Sequence, residues 1–297
     1  MTIKKVGVIG CGLMGHGIVQ VAASAGFDVV ALEMSQDALD KGLGRVSKSL
    51  EKLASKAVEK GKQTEEQAKA SVEAARGRIH GSLDKQDLAD CDLVVEAIVE
   101  DLGIKKELFA ELGGLCKPET ILASNTSSFP ITEMAEASGR PERVVGLHFF
   151  NPVQLMRLVE VVRTDKTAED AFAAAKAFGE GVGKTAVSCK DTPGFVVNRL
   201  LVPYMTQALL MLERGDASKE DIDAAMQLGC GYPMGPLTLT DYVGLDTTLK
   251  ILEGWVERYP NEPAFAIPAI LQQKVAEGKL GRKTGEGFYK WDGDKKQ

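Results

Sequence analysis

No run of apolar residues in this chain approaches the roughly 20 needed to cross a bilayer, so nothing in the sequence reads as a membrane span. There is no basic surplus either: 36 Lys and Arg stand against 42 Asp and Glu, a formal net charge of -6. The basic residues are spread along the chain, not gathered in blocks, which argues against nucleic acid or an anionic membrane as a partner. Cysteine is sparse and scattered. Cys11, Cys91, Cys116, Cys189 and Cys230 form no Cys-x-x-Cys pair, so neither a disulfide framework nor a zinc site is indicated. Small buried thiols in a reducing compartment are expected instead. The opening "MTIKKVGVIGCG" has lysines followed by an apolar stretch, but that stretch is too short for a secretory h-region and breaks into glycines. It reads as the first strand of a cytoplasmic protein. Histidine is scarcer still, with three residues: His16, His80 and His148.

The chain has 297 residues, 44% hydrophobic and 26% charged, the balance of one large or two ordinary globular domains. Over about the first 190 residues, short apolar runs alternate with helix-like segments. Strands are expected at 5–10, 28–33, 93–99, 120–125, 144–150 and 157–162. Such alternation implies a mostly parallel sheet covered on both faces. Residues 35–76 form an unusually long crossover that reads as two helices, Thr64 and Gln67 making a capping-box signature for the second. A compact α/β unit does not need that hairpin, so a ligand-facing use is expected of it. From Asp191 onward the pattern turns wholly helical. The expected division is residues 1–190 and 191–297, with "DGDKKQ" at the end expected to be disordered.

Directly after the first strand, "GCGLMG" sets Gly10, Gly12 and Gly15 in the spacing Gly-x-Gly-x-x-Gly, with Leu13 and Met14 opening a helix. Glu33 ends the second strand about 20 residues further on, where a ribose-binding acid falls in dinucleotide-binding βαβ units. Gly10 would make the tight turn, Gly12 admit a pyrophosphate, and Gly15 let helix and strand pack closely. The helix N-terminus would supply N–H groups to the phosphates. The fold class is therefore Rossmann-type α/β with a helical-hairpin insertion, followed by an all-α C-terminal domain. A carboxylate at Glu33 suits ribose hydroxyls and repels a 2′-phosphate, which favours NAD over NADP.

His148 in "GLHFFNPV" and Glu160 in "LVEVV" each stand alone in an apolar, strand-like run. They are either solvated side chains on half-exposed strands or a paired acid and base, in which the imidazole takes a hydroxyl proton and the carboxylate fixes its tautomer. His16 and His80 have the simpler structural reading.

Taken together, "NTSS" (125–128), "GLHFFNPV" (146–153), "LVEVV" (158–162), "KDTPGFVVNR" (190–199), "YPMGPLTLTDYVGLD" (232–246) and "GRKTGEGFY" (281–289) resemble the L-3-hydroxyacyl-CoA dehydrogenase family. The likeness is greatest to its single-function bacterial 3-hydroxybutyryl-CoA members. The resemblance implies an NAD-dependent oxidoreductase acting reversibly on the C3 hydroxyl of a short-chain (S)-3-hydroxyacyl-CoA, with an acyl-CoA substrate; apolar helices such as "LLVPYMTQALLML" add the expectation of a homodimer formed through the helical domain. It makes His148 the acid–base residue and Glu160 its orienting partner, and it sets Ser127 and Asn198 at the substrate oxygen, Ser127 also touching the cofactor. It adds Glu100, Lys105, Asn125, Asn151 and Lys283 as cofactor contacts. Ser49, Lys52 and Lys56, on one face of the hairpin's first helix, become contacts for the CoA nucleotide. Asp101 departs from the Asn usual in the family. The competing expectations are a dehydrogenase of free hydroxy acids or sugar acids, and a dinucleotide-binding protein without catalysis.

Overall fold

In the computed structural model, which describes residues 2–297, the Val-, Ile- and Leu-rich segments of the first unit form one eight-stranded sheet. Its strands are β1 (Lys5–Ile9), β2 (Asp28–Leu32), β3 (Ile79–Ser82), β4 (Leu93–Glu96), β5 (Ile121–Ser124), β6 (Val144–Phe149), β7 (Leu158–Arg163) and β8 (Thr185–Lys190). They lie in the order β3-β2-β1-β4-β5-β6-β7-β8. Every neighbouring pair is parallel except β6 and β7, which run antiparallel. The chain leaves β1 toward one edge and returns at β4 toward the other. The carboxyl ends of β1 and β4 thus flank a topological switch point, where open α/β sheets take their ligands.

The helices of this unit are α1 (Gly15–Ser24), α2 (Gln36–Glu59), α3 (Glu65–Gly77), α4 (Leu102–Leu115), α5 (Ile131–Ala137) and α6 (Glu169–Gly181). Side chains alternate across each strand, and both sets are apolar because both faces are covered. Val8, Ala31, Val95, Ala123 and Val161 pack on one face with Ile18, Val46 and Phe178. Ile9, Leu32, Val94, Leu122 and Val162 pack on the other with Phe109, Leu112 and Met134. By the same alternation Glu96, Ser124, His148 and Glu160 all lie on this second face, beneath α4 and α5.

β3 and β8 were not expected from the sequence. "IHGS" and "TAVSCK" carry no apolar run, because they are the outermost strands and are only partly covered. The long crossover is the helical pair α2–α3. Thr64 Oγ1 accepts the Gln67 N–H and the Gln67 side chain accepts the Thr64 N–H, completing the capping box, and Arg76 on α3 pairs with Glu51 on α2 at 2.5 Å. Asp101 caps α4 by accepting the Ile104 N–H at 3.0 Å. Asn would serve as well there, so the departure from the family's residue is structurally neutral.

The chain divides into two compact units, Met1–Phe195 and Val196–Gln297. The second contains α7 (Val197–Arg214), α8 (Lys219–Cys230), α9 (Pro236–Val243), α10 (Leu245–Arg258) and α11 (Ala269–Ala276) around a core of its own that includes Leu209, Leu237, Leu252 and Trp255. The expectation of a disordered "DGDKKQ" tail is corrected: Trp291–Asp292 pairs antiparallel with Lys295–Lys296. The tail is held because buried Asp241 accepts hydrogen bonds from Phe288 N, Tyr289 N and Trp291 Nε1. Burial holds the Asp241 carboxyl above the usual range despite those donors. Among the described residues, no helix is long and apolar enough to cross a membrane.

Two adjacent glycines of α4 offer a paired test. A Cβ on Gly113 would overlap the Ser138 carbonyl at the end of α5, whereas one on Gly114 would meet nothing within 4 Å. In urea titrations, Gly114→Ala should stabilise the protein by about 0.5 kcal/mol through helix propensity. Gly113→Ala should destabilise it by roughly 1–3 kcal/mol, since α4 and α5 must move apart.

Candidate active site

The glycine loop has the geometry of a phosphate cradle. Gly10 adopts φ +88°, and a Cβ on Gly15 would overlap the Gly10 carbonyl, while Gly12 faces open space. No side chain caps α1 and no acidic residue stands in its first turn, so the helix terminus is left to an anionic ligand. Just past β2, Glu33 Oε1 accepts the Cys11 N–H at 2.6 Å and Oε2 the Met34 N–H at 3.2 Å, which anchors the carboxylate beside the loop. A backbone opening, an uncapped helix end and an acid at this distance fit a dinucleotide. The neighbouring Cys11 thiol is pushed up to about 12 by burial and by the Glu33 charge, so it stays protonated and unreactive.

At the same edge of the sheet, β6 and β7 are in register with His148 directly opposite Glu160. The imidazole Nδ1 lies 2.7 Å from Glu160 Oε2, and both side chains are buried, Glu160 completely. A carboxylate accepts, so Nδ1 carries the proton and Nε2 is the basic nitrogen. Nε2 has no hydrogen-bond partner among the described residues. Phe150 and Phe195 pack on the imidazole with ring centroids at 4.5 and 5.6 Å. Phe195 holds φ +55°, an αL conformation that costs a non-glycine residue roughly 1–2 kcal/mol. Asn125 Oδ1 accepts the Phe149 N–H at 2.9 Å and ties the end of β5 to the histidine strand.

Between the glycine loop and the histidine lies the turn after β5. Glu100 Oε1 accepts hydrogen bonds from Thr126 Oγ1 (2.5 Å), Ser128 Oγ (2.8 Å) and the Ser127 N–H (3.2 Å). Ser127 Oγ is left without a partner among the described residues. Lys105 pairs with Glu100 at 3.1 Å and with Glu96 at 2.5 Å, and only 1% of its side chain is exposed. Burial alone would raise the Glu100 carboxyl. The Lys105 ammonium and the Thr126 and Ser128 hydroxyls outweigh burial and hold it below the usual range.

The structure thus brings together, within the first unit, Gly10, Gly12, Leu13, Met14, Gly15, Glu33, Glu100, Lys105, Asn125, Ser127, His148 and Glu160 at one sheet edge. Asn151 is exposed in the loop that follows β6. Ser49, Lys52 and Lys56 lie on α2, the two lysines exposed and without an ion-pair partner among the described residues. Asn198 and Lys283 belong to the second unit; Asn198 is in the first turn of α7, and Lys283 is ion-paired with Asp246 at 2.6 Å. His16 is structural: its Nδ1 donates to the Gly12 carbonyl at 2.7 Å and its Nε2 accepts from Gln154 at 3.2 Å. His80 is an exposed neighbour of Asp87. The sequence reading passed over Glu96 and Lys184. Lys184 donates to the Val153 and Met156 carbonyls and so holds the Asn151 loop. For Glu96 a signal was available, since it is a lone carboxylate in "LVVEAIV" just as Glu160 is in "LVEVV".

Residues 5–192 match the 3-hydroxyacyl-CoA dehydrogenase NAD binding domain, and residues 194–291 match the 3-hydroxyacyl-CoA dehydrogenase C-terminal domain. The mitochondrial hydroxyacyl-coenzyme A dehydrogenase of Rattus norvegicus is 51% identical over 290 residues, which cover 97% of this chain and 91% of that one. The probable 3-hydroxybutyryl-CoA dehydrogenase of Deinococcus radiodurans is 51% identical over 287 residues, 97% of this chain and 100% of that one. Among solved structures, (S)-3-hydroxybutyryl-CoA dehydrogenase PaaH1 from Ralstonia eutropha superposes with a TM-score of 0.91 at 40% identity, covering 98% of this chain and 100% of that one. Both family domains are matched in order, and the similarity runs over nearly the whole length: the chain belongs to the 3-hydroxyacyl-CoA dehydrogenase family.

Proposed function

We propose that this protein is an NAD-dependent dehydrogenase that reversibly oxidises the C3 hydroxyl of short-chain (S)-3-hydroxyacyl-CoA, converting 3-hydroxybutyryl-CoA to acetoacetyl-CoA. The observation that carries the reading is the buried His148–Glu160 hydrogen bond of 2.7 Å at the sheet edge that also bears the glycine loop. The CoA thioester is supported by the relatives' names and by the unpaired lysines of α2.

NAD, when bound, supplies the hydride acceptor for oxidation and, once reduced, the donor for the reverse reaction. The chain's own residues handle the proton. In oxidation His148 Nε2 takes the hydroxyl proton as the C3–H bond breaks and the carbonyl forms, and in reduction it returns that proton to the oxygen. Glu160, accepting from Nδ1–H, keeps the tautomer in which Nε2 is basic and stabilises the imidazolium once formed. Ser127 Oγ, the hydroxyl its turn leaves unengaged, donates to the C3 oxygen as negative charge develops there. Asn198 takes a substrate-side role on the family pattern alone, and Asn151 and Lys283 take cofactor roles on the same ground. Glu33 accepts from the ribose hydroxyls. Ser49, Lys52 and Lys56 receive the CoA nucleotide, the two ammonium groups facing its phosphates. We assign self-association into a homodimer to the second unit, where Leu200, Leu228 and Tyr232 are exposed and a second copy would cover them.

Acetoacetyl-CoA reduction followed through NADH absorbance tests the reading, with free acetoacetate and NADPH in parallel. Turnover should require the thioester and prefer NADH. Equal turnover of the free acid would overturn the CoA assignment. His148→Gln should lower kcat by about 10²–10⁴-fold, the usual worth of general acid–base catalysis, with NADH affinity retained.

The α2 lysines make a separate expectation. Replacing Lys52 and Lys56 together by Ala should raise the KM for acetoacetyl-CoA roughly 10-fold, as expected for two partly exposed charge contacts, and leave kcat unchanged. The KM of the double variant should also lose most of its dependence on ionic strength.

A further inference from the structure

Glu96 lies at the end of β4 with no exposed surface. Its Oε1 accepts from Lys105 Nζ at 2.5 Å and from the Ile98 N–H at 2.8 Å, and its Oε2 accepts from Ser124 Oγ at 2.6 Å. Ser124 Oγ in turn accepts the Thr126 N–H at 3.1 Å. The other arm runs from Lys105 to Glu100 Oε2 at 3.1 Å. From there it passes through Glu100 Oε1 to the Thr126 hydroxyl at 2.5 Å. The two arms meet at Thr126 and close a ring of Glu96, Lys105, Glu100, Thr126 and Ser124. Thr126 Oγ1 also accepts the N–H groups of Ser128 and Phe129, at 3.3 and 3.1 Å. Over residues 126–129 every donor is therefore engaged within the turn, with Ser124 or with Glu100, except the Ser127 hydroxyl.

A buried ion pair such as Glu96–Lys105 is a poor route to stability. Desolvating two charges costs about as much as their attraction returns, and apolar residues of similar volume are often as good or better. What the pair supplies here is direction. Glu96 is rigid on the sheet, Lys105 is rigid on α4, and Glu100 stands on the short connection between them. Two opposite charges fix the bridging ammonium, which fixes the second carboxylate, which orients the turn. With Thr126, Ser127 and Ser128 bound to Glu100, rotation of the turn toward any other arrangement would break three hydrogen bonds to that charged carboxylate.

We propose that Glu96 and Lys105 are positioning residues that act through Glu100 to aim the Ser127 hydroxyl at the reacting oxygen, an inference that rests on the function proposed above. Lys105 acts from the interior, with its ammonium between the two carboxylates, and the ring converts its position into that of Ser127. The ring's loss should therefore appear in kcat, and where that loss spares Glu100 and Lys105, which the family resemblance makes cofactor contacts, dinucleotide affinity should stay near that of the wild type.

The test separates stability from positioning by replacing the pair with apolar side chains. Glu96→Leu combined with Lys105→Met removes both charges at similar volume. Apo-protein stability from urea titration, NADH affinity from fluorescence and acetoacetyl-CoA kinetics would be measured on the same preparations. The expected result is apo-protein stability within the wild-type range and kcat at saturating NADH lower by about 10–100-fold, the usual range for a misplaced oxyanion-type donor, with NADH affinity lowered as well because Lys105 is itself an implied cofactor contact. A double variant with wild-type stability and wild-type kcat would overturn the proposal. Ser124→Ala, made alongside, opens the ring at its neutral link without touching an implied cofactor contact. A kcat lower by about 3–10-fold at unchanged NADH affinity is then expected, and wild-type kcat would count against the proposal equally. His148→Gln run alongside distinguishes the two levels. Full activity in that variant would overturn the functional reading, whereas its inactivity beside a fully active ring variant would overturn the positioning role alone.

Discussion

A carboxylate carried into the interior on the face of a parallel sheet must be met by donors, because water cannot reach it and leaving it bare costs several kcal/mol. Glu160 and Glu96 are both in this position, each with no exposed surface. One is met by the imidazole of His148 from the adjacent antiparallel strand and the other by Lys105 from the covering helix. Much of the site's geometry follows from that requirement. Donors can approach Glu160 from β6 only if β6 and β7 are in the register that sets residue 148 opposite residue 160, and a slip of one residue would turn every side chain to the wrong face. A buried Glu96 likewise dictates where α4 must deliver Lys105, and hence where Glu100 and the serine turn come to rest.

The sheet order makes this arrangement useful. The glycine loop after β1 and the acid after β2 stand on one side of the switch point, and the turns after β4, β5 and β6 stand on the other. The groups that would hold a dinucleotide and the groups that would move a proton therefore share one edge, on strands buried on both faces. Rigidity comes from that burial. The catalytic candidates sit at strand ends or on short turns whose donors are engaged inward, so the unengaged Nε2 of His148 and Oγ of Ser127 are held without help from a ligand.

Much of this was legible from residue order. The glycine spacing, the acid after the second strand, the capping box at Thr64 and the change to a wholly helical pattern after Asp191 are local signals, and local chemistry determines them. The edge strands β3 and β8 escaped notice because partly covered strands need no apolar run. The ordered tail escaped notice because "DGDKKQ" is polar, and its anchors, Asp241 and Trp291, are far apart in sequence. Glu96 was passed over for a related reason, since the ammonium that meets it comes from a helix nine residues further along the chain, and Lys105 was read only as a cofactor contact.

Residue order by itself thus determined the kind of chemistry available: a phosphate-binding loop, an imidazole and a carboxylate each alone in an apolar strand, and a hairpin carrying a serine and two lysines on one face. These are properties of short segments, fixed by side-chain type and by the periods of helix and strand. Which groups pair was decided by the tertiary structure, through the antiparallel return of β7, the helix that covers its face of the sheet, and the register between strands. Pairing depends on distance between segments remote in sequence, and burial then makes it obligatory, since an unpaired charge in that interior has no water to take the partner's place.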